Sequence, residues 1–122
     1  MFPMLQSYQL FIKLSRDSDV QIGKLGLFRF PRGGYIYTGS AKAHMEKRIE
    51  RHLSKHKKPR WHIDYLLEVK DARITQVARS EISECKLNKK TSGETLVNGF
   101  GSSDCLKKCG SHLKFTGDTQ SK

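Results

Sequence analysis

The chain has 122 residues, 36% of them hydrophobic, and sets 23 Lys and Arg against 12 acidic residues for a formal charge of +11. This length suits one domain that buries a core without disulfide staples, and the short periodic apolar runs exclude a disordered chain. No apolar run approaches the roughly 20 residues of a membrane-spanning helix, and Met1–Leu5 lacks the basic start and long apolar stretch of a signal peptide.

Ser7–Leu14 alternates Tyr8, Leu10, Ile12 and Leu14 on one face and is predicted as the first strand. Arg16–Asp19 is a turn. Val20–Phe30 is extended, with Gly23 and Gly26 marking a bend or bulge. Pro31–Gly34 turns again, and Tyr35–Thr38 is a short strand of β-formers broken by Gly39. Ser40 is the predicted N-cap of a helix reaching about Leu53. Met45, Ile49 and Leu53 are its expected core stripe, and His44, Arg48 and His52 form a second stripe beside it. Ser54–Arg60 is a basic loop in which Pro59 stops the helix.

Trp61–Glu68 reads as a short helix, Arg73–Arg79 as a strand, and Glu81–Lys90 as a third helix with acids early and lysines late. Thr91–Gly99 is loop, Phe100–His112 is irregular and rich in Gly, Ser and Cys, and Leu113–Phe115 adds an edge strand. The polar end, Thr116–Lys122, reads as a frayed tail, which leaves one domain over residues 1–115. The expected class is α/β (α+β), a small central antiparallel or mixed sheet flanked by helices in the order β-β-α-α-β-α.

A charge of +11 on so small a domain predicts a polyanionic partner, DNA or RNA first. An anionic membrane surface and an acidic protein are the other readings. The basic residues Lys42, Lys47, Arg51, Lys55, Lys57, Lys58 and Arg60 lead into Trp61 and Tyr65. They suit backbone contacts with aromatic stacking beyond, or a plainly solvated face. Three cysteines, Cys85, Cys105 and Cys109, are an odd number, which points to a reducing cytoplasmic setting.

Three constellations carry chemistry. Tyr35–Ala41 ends a strand and opens a helix bearing Arg48 and His52, which is either a guanidinium set to clamp phosphate or a core Tyr, a tight-turn Gly and a solvated Arg. His62 next to Asp64 is either a proton-shuttling pair or the polar cap of a Trp61 core anchor. Cys105, Cys109 and His112, with Cys85 upstream, have the donor types of a zinc site, while Cys85 also fits a buried thiol on one helix face.

Gly33–Ala41, Arg48 with His52, Trp61–Leu66, Glu84-Cys85, Phe100–Cys105 and Ser111–Leu113 occur in that order. Together they resemble the GIY-YIG endonuclease superfamily, in its small stand-alone branch related to domains fused to endonuclease III-type repair enzymes. The resemblance spans about Tyr8 to Phe115. It implies phosphodiester hydrolysis, with Tyr8 and Tyr37 as the two motif tyrosines, Arg48 as the helix arginine and His52 at the following helix position. Glu84 is then the carboxylate that holds Mg2+ or Mn2+. Ser40, Lys42, Lys55, Lys57, Lys58, Arg60 and His62 would hold nucleic acid. The sequence departs from the pattern at Gln6-Ser7-Tyr8, where Gly-Ile-Tyr is usual, in the insert containing Val20–Phe30, and in offering only Asn98 as the late asparagine.

Two functions follow as expectations: a metal-dependent DNA endonuclease, in a DNA-repair setting with a repair-protein partner, or a non-cutting DNA- or RNA-binding module on the same scaffold. A zinc-stabilised adaptor for an acidic protein is a third. A monomer or weak dimer is expected.

Overall fold

A computed structural model of the chain describes residues 5–41, 43–54, 58–59, 61–97, 100 and 111–117. The strands are β1 (Ser7–Leu14), β2 (Ser18–Ile22), β3 (Gly26–Phe30), β4 (Gly33–Ser40), β5 (Ala72–Ser80) and β6 (Leu113–Gly117). The helices are α1 (Met45–Leu53), α2 (His62–Leu67) and α3 (Glu84–Lys90). Four strands form one sheet in the order β5-β1-β4-β6, with every neighbour antiparallel, and β2 and β3 form a separate hairpin. The class is mixed α+β. None of the helices among the described residues is long and apolar enough to cross a membrane.

The period-two pattern of β1 sends Tyr8, Leu10, Ile12 and Leu14 into the core. The alternate positions are not all wet. Ser7 Oγ donates to the Ile82 carbonyl at 2.6 Å, and Gln9 Nε2 donates to Thr91 Oγ1 at 2.6 Å. These bonds tie the two ends of α3 to the start of β1, so the sheet is covered there on both faces. The core joins Leu10 and Tyr35 of the sheet to Ile22 and Phe30 of the hairpin and to Ile63 and Leu66 of α2.

The extended segment Val20–Phe30 is a hairpin, closed by a single 3-10 turn at Gly23–Leu25. Gly23 and Gly26 both take positive φ, at 47° and 131°, which lets the chain reverse where a side chain would be strained.

Gly39 has a different reason to be glycine. It lies opposite Tyr8 in the β1–β4 register, and a Cβ there would stand 2.5 Å from Cζ of the Tyr8 ring. The motif tyrosine of β1 therefore lies flat against bare backbone of β4.

The first helix starts later than its cap signal suggests. Ser40 stays in β4 because it pairs with Ser7, and α1 begins at Met45 after His44 takes a left-handed φ of 57°. Its buried residues are Ile49 and His52, with Met45 half-buried beside them, in place of the stripe Met45, Ile49, Leu53, and Leu53 is 54% exposed. At 3.6 residues per turn the stripe continues at i+7 as readily as i+8, and the aromatic lining of the sheet takes an imidazole there. The third helix also begins later, at Glu84, with Ser83 Oγ accepting the Lys86 N–H at 3.3 Å. β6 runs on through Thr116 and Gly117, where a tail was expected, because Gly117 pairs with Gly34.

Gly39→Ala is expected to destabilise the fold by about 1–3 kcal/mol, the usual cost of forcing extra volume into a packed site. Thermal unfolding followed by circular dichroism should show a lower Tm, with the loss reduced when Tyr8 is also replaced by Ala.

Candidate functional site

Tyr8 on β1 and Tyr37 on β4 share one face of the sheet, since Tyr8 pairs with Gly39 and Tyr37 with Leu10. His52 rises against them from α1, its ring centroid 5.5 Å from Tyr8 and 6.0 Å from Tyr37. Tyr8 Oη and His52 Nε2 are hydrogen-bonded at 2.7 Å, with donor and acceptor set by the imidazole tautomer. Trp61, at the start of α2, closes the other side of His52 at 5.5 Å. His52 is therefore a buried, tightly packed member of an aromatic cluster.

Arg48 lies one helical turn before His52. Its Nη1 donates to the Ser40 carbonyl at 2.7 Å, and its Cζ sits 5.0 Å from the Trp61 ring centroid. A guanidinium has five N–H donors, so the bond to Ser40 commits only part of it. Burial pushes the Tyr8 phenol well above its ordinary pKa; the Arg48 charge works against that, and Glu84 adds to it. Burial likewise raises the Tyr37 phenol, with Tyr8 and Glu84 adding and Arg48 opposing. The structure thus brings Tyr8, Tyr37, Arg48 and His52 together, with Glu84 near enough to act on both phenols.

Glu84 is the first residue of α3, with its side chain about one quarter exposed. Its Oε2 accepts from His112 Nδ1 at 3.0 Å. His112 is buried just before β6. Glu84, Cys85 and His112 each place a donor atom within 4.8 Å of the others. Sequence reasoning assigned Glu84 to one metal and Cys85 with His112 to another. Folding puts all three in one cluster. The adjacency of Glu84 and Cys85 was the available signal. Cys105 and Cys109 lie outside the described residues, as does Asn98.

Asp64 turns out to be structural. Both of its carboxylate oxygens accept from Arg51 Nη1, at 3.0 and 2.9 Å, and Oδ2 also accepts the Trp61 N–H at 2.9 Å. Arg51 Nη2 reaches the Lys58 carbonyl at 3.0 Å, and the guanidinium lies 4.6 Å from the Trp61 ring. Arg51 is therefore not part of a solvated basic row: it ties α1, the following loop and α2 together. His62 packs its ring 5.7 Å from Phe100. Asp64 thus closes the start of the helix that Trp61 opens.

Of the residues expected to grip nucleic acid, Lys58 is exposed, and Lys47 stands exposed on α1. Ser40 offers its carbonyl to Arg48. Lys42, Lys55, Lys57 and Arg60 lie outside the described residues.

Comparison with known proteins finds a match to a family model described as a domain of unknown function, DUF123, over residues 7–122. No curated protein and no solved structure matches.

Two tests follow from this geometry. Arg51→Ala leaves the Asp64 carboxylate, 1% exposed, without its ion-pair partner, and should cost about 3 kcal/mol, the lower end for a broken buried pair because Arg51 is itself partly exposed. Urea denaturation should show this loss, and Arg51→Met with Asp64→Leu should recover much of it. The second test concerns pH. Tyr8 and Tyr37 have raised folded pKa values, so their contribution is complete below the unfolded phenol pKa of about 10 and is lost as pH climbs through the folded values. Tm should hold level through neutral pH and fall above it, and Tyr37→Phe should make that alkaline fall shallower.

Proposed function

The chain belongs to the DUF123 family, and for this member we propose a divalent-metal-dependent endonuclease of the GIY-YIG type that hydrolyses phosphodiesters in DNA. The observation that carries the reading is the hydrogen-bonded pair of Tyr8 and His52, packed with Tyr37 on one face of the sheet and with Arg48 beside it on the same helix as His52. Each is a residue type that phosphodiester hydrolysis needs. The formal charge of +11 supports a polyanionic substrate, and the ordered motifs that resemble the superfamily support the reaction class.

In this reading the Arg48 guanidinium binds the non-bridging oxygens of the scissile phosphate and stabilises the charge that builds on them. Trp61 and the Ser40 carbonyl fix its direction. The Tyr8 phenol is protonated at neutral pH, as any tyrosine is, and burial keeps it so further into the alkaline range. It can therefore hold the attacking water through one lone pair while donating its own proton to His52, which serves as the local proton acceptor. Tyr37 walls the opposite side and keeps bulk water away. Glu84 supplies the carboxylate that a hard cation such as Mg2+ or Mn2+ requires, and that cation would contribute Lewis-acid stabilisation of the phosphate. Lys58 and the neighbouring basic residues hold backbone without reading sequence. A repair setting, with DNA of unusual structure as substrate, fits recognition by shape and charge.

The second reading keeps binding and drops cutting. It is favoured by the bond from Arg48 to the Ser40 carbonyl, which engages the arginine within the fold.

A panel of labelled linear, nicked, flapped and branched DNAs, with magnesium or manganese, separates the two. Wild-type protein should cut at least one substrate, and its binding should weaken steeply with salt. Arg48→Ala should lose a factor of about one hundred or more in rate, the cost of deleting one positioned transition-state donor. Glu84→Ala should abolish metal-dependent cutting and leave binding intact. Binding with no cutting of any substrate establishes the module and removes the nuclease.

A further inference from the structure

The cluster at the start of α3 has a donor set that does not suit magnesium. Mg2+ takes oxygen ligands and keeps several waters. Here a carboxylate, a thiol and an imidazole converge, with all three donor atoms within 4.8 Å of one another. We infer that Glu84, Cys85 and His112 form one binding site for a borderline divalent ion of the zinc class, selected over magnesium by the Cys85 thiolate and the His112 imidazole. The inference rests on Glu84 as a metal ligand in the reading above and replaces the magnesium or manganese named there with an ion of the zinc class.

Zinc bonds run to about 2.3 Å for sulfur and about 2.0–2.2 Å for nitrogen and oxygen, which sets neighbouring donors of a tetrahedron roughly 3.3–3.7 Å apart. The Glu84 Oε2 to His112 Nδ1 separation of 3.0 Å is already close to one such edge. The whole cluster needs only side-chain adjustment of an ångström or so to close on an ion. On binding, the Cys85 thiol releases its proton to solvent, and the His112 proton moves from Nδ1 to Nε2, so that the ring stays neutral and Nδ1 is free to ligate. A lone pair on each atom then forms the bond to the ion.

The platform beneath these side chains is built from several hydrogen bonds. The Asn88 Nδ2 donates to the Ser111 carbonyl at 2.8 Å, which links α3 to the residue before His112. The His112 carbonyl accepts from the Thr38 N–H at 3.0 Å, and its own N–H donates to the Phe100 carbonyl at 2.8 Å. The α3 start is held by the Ser83 cap and by the bond from Ser7 to Ile82. Both halves of the donor set are thus referenced to β1 and β4, the strands that carry Tyr8 and Tyr37. Outer hydrogen bonds of this kind fix ligand direction in metal sites. Three protein ligands also leave a fourth position for water, the pattern of catalytic rather than structural zinc.

The test uses the reduced full chain, treated with chelator and dialysed, then titrated with cobalt(II) without nucleic acid. The expected result is saturable thiolate-to-cobalt charge-transfer absorption at one ion per chain, displaced by zinc and unmoved by excess magnesium. Cys85→Ser should lose that absorption and bind cobalt at least about tenfold more weakly. The Cys105→Ser, Cys109→Ser double variant should keep both. Glu84→Gln, which preserves side-chain size, should weaken binding yet retain the absorption, so the result does not hang on the folding of one variant. Absence of charge transfer in the wild type, its survival in Cys85→Ser, or its loss in the Cys105 and Cys109 double variant would each overturn the site. Magnesium-dependent cutting by a chain that shows no such absorption would remove the zinc site and keep the nuclease. Absorption without cutting under any metal would remove the nuclease and keep the site.

Discussion

The pairing of β1 with β4 governs everything around the candidate site. Its register sets Tyr8 against Gly39 and Leu10 against Tyr37, so two phenols share one face a short distance apart. A slip of one residue would turn every side chain of β1 to the other face. The bare backbone at Gly39 is what lets the Tyr8 ring lie down and bring its hydroxyl to His52. From that contact the position of α1 follows, and with it the reach of Arg48.

A second constraint is electrostatic. The chain is strongly basic, yet its interior segments carry carboxylates in specific places. Asp64 is neutralised by Arg51 and serves to join two helices. Glu84 has an imidazole and a thiol close by among the described residues that could hold a metal. One acid is thus satisfied by a guanidinium and spent on architecture, and the other keeps partners whose chemistry is ligation. The same distinction divides the arginines. Arg51 is held on both of its terminal nitrogens by protein oxygens, whereas Arg48 reaches the Ser40 carbonyl and lies beside the Tyr8 phenol.

Much of the fold was legible because it rests on short-range patterns. The alternation of β1, the β-formers of β4, the Pro59 break and the charge gradient of α3 all act within a few residues. What was not legible depended on partners distant in sequence. Ser40 has every property of an N-cap, but Ser7 claims it for a strand. His52 looked like a member of a solvent-side row until the sheet supplied an aromatic pocket for it. Arg51 could be placed on α1 but not matched with Asp64, because the bridge crosses a loop that carries no pattern. The union of Glu84 and Cys85 with His112 was hidden for the same reason: it depends on β6 reaching β4.

That last pairing has a consequence for the order in which the molecule matures. β6 joins the sheet through Tyr37 with Leu113 and Tyr35 with Phe115, contacts between widely separated parts of the chain. Long loops must close before such pairings repay their entropy. During synthesis β1, β4 and β5 can assemble while the segment carrying His112 is still being made. The aromatic cluster of Tyr8, Tyr37 and His52 draws on β1, β4 and α1, and so does not itself require β6. The contact of His112 with Glu84 waits on the pairing that brings Leu113 back to Tyr37.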